Sequence, residues 1–160
     1  MNARDPHVLG PGLLPTPFSA DEIRAGCPVG RTIRLLVERD GAEPSLRTNR
    51  FIAADDDGAI IESRRLTIGG EPIGEPVADR STWLQLQEHA AFPADRTTRT
   101  TTTVELPFGV LECLRYDMVE GDTTNTFWFA RVAPGMPVKY QTVEAGRVTS
   151  TVTMTANELP

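Results

Sequence analysis

Two histidines and two cysteines are the side chains whose types could do proton or covalent chemistry: His7, His89, Cys27 and Cys113. His89 follows Glu88 and lies three positions after Leu86, a spacing that puts both on one side of a helix. A general base there needs a pocket and a second group, and Glu112 is the one partner the sequence offers. The blander reading is favoured: a histidine near a helix C-terminus that interacts well with the dipole. His7 falls in a proline-rich stretch and is expected to be solvated. Cys113 sits mid-strand in Leu111–Arg115, without the histidine or helix N-terminus that would activate a thiol, so it reads as a small apolar core residue. Cys27 follows the first helix, where packing outweighs a regulatory role. Asp55-Asp56-Asp57 has contiguous acids, whereas a calcium loop needs spaced oxygens and a closing Glu. Ahead of Gly58 these acids read as a solvated hairpin turn. No GxSxG, P-loop, GxGxxG, HExxH or CxxC occurs, so no catalytic set, metal site or cofactor is expected.

The aromatic residues say more. Trp83, Phe92, Tyr116, Phe127, Trp128, Phe129 and Tyr140 fall in one helical stretch and the later strands. The contiguous Phe127-Trp128-Phe129 puts bulk on both faces of one strand. One face is core; the other meets a helix, touches another subunit or lines a pocket. All-core packing is the simpler reading, and a ligand pocket the functional one. For a pocket the candidate ligand-binding residues are Trp83, Leu86, Phe92, Tyr116, Phe127, Phe129 and Tyr140. They would act by apolar burial, with Tyr116 or Tyr140 offering a hydroxyl to a polar head.

The elements that must position these residues can be read from the pattern. Residues 1–18 form an extended arm, because Pro6, Pro11, Pro15 and Pro17 deny it a helix. Ser19-Ala20-Asp21-Glu22 is a capping box, opening a short helix near 20–25 that Gly26 ends. Period-two alternation follows in Arg31–Arg39, with Ile33, Leu35 and Val37 on one face. Further strands are expected over 45–54 and 59–67. Residues 80–91 read as one helix capped by Asp79 or Ser81, with Trp83, Leu86 and Ala90 inward and Gln85, Gln87 and Glu88 outward. Strands then recur over 97–106, rich in threonine, and over 110–118, 123–132, 138–143 and 147–155. The fold class is mainly β: a curved antiparallel sheet of about eight strands, a half-barrel or barrel, with the helix near 80–91 covering its concave face. Residues 19–160 make one domain.

Composition removes several function classes. The 160 residues carry a net charge of −6, with no basic stripe for phosphates, so nucleic acid is a poor partner. The 16 cationic residues are all arginine except Lys139. With abundant Ala, Gly and Pro, that bias reads as codon usage. No apolar run is long enough for a membrane span. The first eighteen residues lack a signal-peptide pattern, so a cytoplasmic location is expected.

The last third carries a recurring pattern: Thr126-Phe127-Trp128-Phe129-Ala130, then Pro134-Gly135-Met136-Pro137-Val138-Lys139-Tyr140, then Gly146 to Met154. An aromatic strand, a Pro/Gly turn, a strand, a glycine turn and a closing strand resemble the lipoprotein-carrier-like half-barrels of the LolA/LolB and LppX/LprG type and their uncharacterised bacterial relatives. The resemblance covers about 110–156 by motif and the rest by strand order. It implies an incomplete barrel closed by helices, with a hydrophobic or lipid-like small molecule held in the concavity. Those carriers are exported or lipid-anchored, and this chain has no lipobox cysteine. The expected function is therefore non-catalytic binding of a hydrophobic molecule. The alternatives are a small isomerase or cyclase using His89 and Glu112, or an interaction module whose exposed strand edge pairs with a second copy or another protein.

Overall fold

The sheet is two meanders joined at their inner strands. A computed structural model describes residues 4–160; the first three positions of the expected arm lie outside the described residues. The elements run α1 (Ala20–Gly26), β1 (Thr32–Arg39), β2 (Ser45–Ala54), β3 (Gly58–Thr67), β4 (Val77–Thr82), α2 (Trp83–Glu88), β5 (Thr97–Leu106), β6 (Gly109–Glu120), β7 (Thr123–Ala130), β8 (Lys139–Glu144) and β9 (Arg147–Glu158). All nine strands form one antiparallel sheet in the order β4-β3-β2-β1-β9-β8-β7-β6-β5. Hairpins account for every neighbour except β1 and β9, which pair from Thr32↔Glu158 to Arg39↔Ser150. The edges β4 and β5 do not pair with each other, so the sheet is an open, curved half-barrel, and α2 is the link between those edges.

Register shifts opposite Arg34/Leu35, at Phe51/Ala53 and opposite Thr142/Val143 leave one extra residue in β2, Ile52, and two in β9, Thr155 and Thr149. Such bulges strengthen local twist and help a wide sheet curl. Paired residues share a face, so Val37, Val152, Tyr140, Phe127 and Tyr116 line one row across the concave side. That side holds the core with Ile33, Leu35, Phe51, Phe129 and Met154, all buried. Ile23 of α1, Phe18, Trp83 and Phe92 join the same cluster from above. On the convex side Trp128 lies between the charged ends of Arg115, at 5.3 Å, and Lys139, at 5.4 Å.

Two parts of the sequence reading need correction. The sheet has nine strands; the additional one is the edge strand β4, which takes the first three residues of the expected 80–91 helix. Its residues pair with β3 from Gly58↔Thr82 to Ser63↔Val77. The helix then starts at Trp83. Thr82 is the cap, its hydroxyl accepting from Gln85 N (3.0 Å) while Gln85 Oε1 accepts from Thr82 N (2.8 Å). Gly58 makes the junction possible: a Cβ there would lie 2.3 Å from the Ser81 carbonyl oxygen. Beyond Glu88 the chain tightens through Ala90 N to Gln87 O and Ala91 N to Glu88 O, three-residue bonds typical of a closing turn.

Gln87 is the second correction. It faces inward and is 2% exposed. Its Nε2 donates to Pro6 O (2.8 Å) and Thr16 Oγ1 (3.0 Å), and its Oε1 accepts from Ala20 N (2.9 Å). The arm is thereby tied to both helices. Leu14 N donates to Phe92 O, Ala94 N to Gly12 O, and the Tyr116 hydroxyl to Pro15 O (2.7 Å). His7, expected to be solvated, is only partly so and is held between Asp5 and Glu22. The His7 backbone N–H and then its ring hold the Asp5 carboxyl below its ordinary range; at Glu22 burial pushes upward, and the Ser19 hydrogen bonds, followed by His7, outweigh it.

Candidate functional site

The concave face is not filled to its roof. A cavity of about 310 Å³ lies between the sheet and α2, at the small end of ligand pockets. Ile33 of β1, Phe51 of β2 and Ile61 of β3 form one wall, and Phe127, Phe129 and Tyr140 of β7 and β8 the other. Leu86 comes down from α2 and His89 and Ala90 from the turn that ends it, and Pro134–Pro137, between β7 and β8, closes the side. Register explains the walls. Phe51 pairs with Ile61 and Phe127 with Tyr140, so each pair points the same way, and the curl turns the two walls toward each other.

The seven candidate residues divide. Leu86, Phe127, Phe129 and Tyr140 line the cavity. Trp83, Phe92 and Tyr116 lie outside that lining. Trp83 is buried and its indole N–H donates to Asp55 O (3.0 Å). Phe92 packs on Tyr116 at 5.1 Å and on Phe127 at 4.9 Å between ring centroids. The Tyr116 hydroxyl is committed to Pro15 O, so of the two tyrosines Tyr140 is the one in the lining. His89 also lines the cavity, while its proposed partner Glu112 is exposed on β6 and outside the lining.

Arg31 is the residue that sequence reasoning missed. It belongs to the cavity lining and is 0% exposed. Nε donates to Asn157 Oδ1 (2.8 Å). Nη1 donates to the carbonyls of Gly26 (3.2 Å) and Pro134 (2.5 Å) and to Cys27 Sγ (3.0 Å). Nη2 is buried and has no hydrogen-bond partner among the described residues. The signal was present: Arg31 stands two, four and six residues before Ile33, Leu35 and Val37, on the same inward face.

The remaining candidates have other occupations. Burial pushes the Cys27 thiol up, outweighing the lowering by Arg31 beside it. Burial, then the charge of Glu112, pushes Cys113 up as well. Neither thiol is poised as a nucleophile. Asp55 organises its turn: Oδ1 accepts from Asp57 N and Gly58 N, and Arg80 Nη2 donates to both carboxylate oxygens at 2.9 and 3.0 Å. The Arg80 bond first, then the two amides, hold its carboxyl at about 2. Among the described residues no three His, Cys, Asp or Glu side chains gather where they could hold a metal ion.

Fold and cavity together define a class: an open antiparallel half-barrel roofed by helices, with an apolar chamber under the roof. Solved structures of the same shape exist. One is a crystal structure described as an exported protein with YmcC-like fold from Bacteroides fragilis, at TM-score 0.53 and 8% identity, covering 83% of this chain and 97% of that one. Another is MucB, at TM-score 0.58 and 12% identity, covering 86% of this chain and 55% of MucB, so this chain spans about half of that protein. At such identities the likeness is one of fold, a related half-barrel. No family model matches the sequence, and no curated protein does.

Proposed function

We propose that this protein binds a hydrophobic, lipid-like small molecule in the chamber under α2 and does not transform it. The observation that carries this reading is the cavity of about 310 Å³ lined by Ile33, Phe51, Ile61, Leu86, Phe127 and Phe129. An apolar wall with a few polar groups is the usual make-up of a small-molecule site. The likeness to the carrier-type half-barrels in the last third of the sequence supports the same reading, as does the related fold of the two solved structures.

Native mass spectrometry of gently purified protein tests it, with organic extraction of whatever accompanies the chain. The expected result is a discrete non-covalent adduct of lipid-like mass. Leu86→Trp fills the chamber from α2 and should abolish the adduct while the protein stays folded. An adduct that persists in Leu86→Trp would place binding elsewhere and overturn the reading.

A second reading has its own observation. The edge strand β5 exposes Thr98, Thr100, Thr101 and Thr103 and carries no proline or lysine to blunt it. Such an edge fits strand addition by a second copy or another protein. A concentration-dependent dimer that disappears in Thr101→Pro would support it.

A further inference from the structure

Arg31 brings a positive charge to an apolar chamber and has no carboxylate beside it. Its partners are an amide oxygen, two backbone carbonyls and the Cys27 thiol. The carbonyls of Gly26, at the end of α1, and of Pro134 offer only partial negative charge. Cys27 does not neutralise the guanidinium, because its thiol is pushed toward the protonated form. Other arginines of the chain have carboxylate partners, exposed in Arg34–Glu158, Arg80–Asp55 and Arg147–Asp40 and partly buried in Arg115–Asp117. A buried guanidinium left in this state is costly unless an anion completes it. Two of its five N–H donors, those of Nη2, remain unused.

We propose that the chamber takes a single-chain carboxylic acid, with the carboxylate on Arg31 Nη2 and the hydrocarbon tail along Phe51, Leu86, Phe127 and Phe129. This rests on the chamber being a binding site at all. A carboxylate supplies the missing negative charge and acceptors for both unused hydrogens. The chamber limits the tail. By liquid volume, 310 Å³ corresponds to roughly ten water-sized groups, so a chain of about ten carbons fits and a two-chain lipid does not. Nη2 has no open surface in the structure, so the head group reaches the guanidinium by displacing the Pro134–Pro137 wall. There Gly135, at φ 110°, has no side chain, and a Cβ would come within 3.3 Å of Cys27 Sγ and 3.8 Å of Arg31 Nη1.

The test titrates the full chain, at neutral pH where the acid is ionised, with decanoic acid, 1-decanol and methyl decanoate. Affinities are read from backbone amide shifts at Leu86 and Phe129 and from the Arg31 side-chain Nε resonance. The acid should bind about tenfold or more tightly than the alcohol or ester, and it alone should move the Arg31 Nε signal. Arg31→Lys and Arg31→Gln then follow: the acid's advantage should shrink in the first and vanish in the second. The wild-type comparison decides the matter even if both variants fold poorly. Equal affinity for all three compounds would overturn the carboxylate site and leave an apolar chamber. Binding of none would overturn both.

Discussion

Two arginines mark the two ends of the β1–β4 half of the sheet, and they are held in opposite ways. Arg80, on the edge strand β4, donates from Nη2 to both carboxylate oxygens of Asp55 at 2.9 and 3.0 Å, and both side chains are exposed. Arg31, just before β1, is sealed under the roof with neutral partners. The exposed pair has ideal chemistry and little to gain, since water screens it. The buried cation has much to gain and lacks its counter-charge. The difference separates a surface arginine that organises a turn from a buried one whose guanidinium is left incompletely bonded. Around Asp55 every donor and acceptor serves a turn. Around Arg31 one nitrogen is left over, beside the apolar chamber under α2.

The largest effect should come from breaking the buried end. Arg31→Ala leaves Asn157 and the carbonyls of Gly26 and Pro134 without their donor. It should cost about 3–5 kcal/mol in urea unfolding. If instead it is neutral, the guanidinium does not hold α1 and the Pro134 segment to the sheet. Gly58→Ala attacks the other end through the backbone. It drives a methyl into the Ser81 carbonyl and should cost about 1–3 kcal/mol, with β4 losing amide-exchange protection first. Gln87→Leu keeps the volume but releases Pro6, Thr16 and Ala20. About 1–3 kcal/mol is expected, with faster proteolysis confined to the arm.

The smallest effect is the exposed pair. The folded-state value of Asp55 lies at about 2, below its ordinary 3.8. Its contribution is therefore present above about pH 4 and is lost as pH falls through about 2. Arg80→Ala should move the Asp55 titration upward, toward 3.8, as followed by carboxyl NMR. It should shift acid unfolding to slightly higher pH and leave neutral-pH stability nearly unchanged. A large loss at neutral pH would mean that the surface pair is not the weak partner in the comparison.

Much of this was legible in the chain, and particular residues show where legibility stops. Alternation at Ile33, Leu35 and Val37 was enough to orient β1, and Ser19–Glu22 to start α1. The same alternation extended back two residues would have turned Arg31 inward. It went unread because a charged side chain breaks the apolar pattern by which strand faces are recognised. Residues 80–82 read as the start of a helix because Asp79 and Ser81 look like caps, and nothing in Val77–Thr82 announces a strand. Only pairing with β3 reveals that Thr82 is the cap and the residues before it an edge strand. Gln87 looked like a solvent-facing helix residue because its three partners come from the arm and α1, far from it in sequence. Of the candidate site, Leu86, Phe127, Phe129 and Tyr140 meet at the chamber, while Trp83, Phe92 and Tyr116 sit behind it. Strand and helix periodicity turns these residues inward; it does not say which side of the packing the empty space falls on.

The most direct measurement is a methyl NMR titration of methionine-labelled protein with 1-decanol. Met136 lies in the chamber wall and Met118, on β6, outside it. A saturable shift at Met136 with Met118 unmoved, abolished by Leu86→Trp, is the predicted result. No saturable shift at Met136, or equal drift of both methyls, would contradict the claim that the space under α2 is a binding chamber.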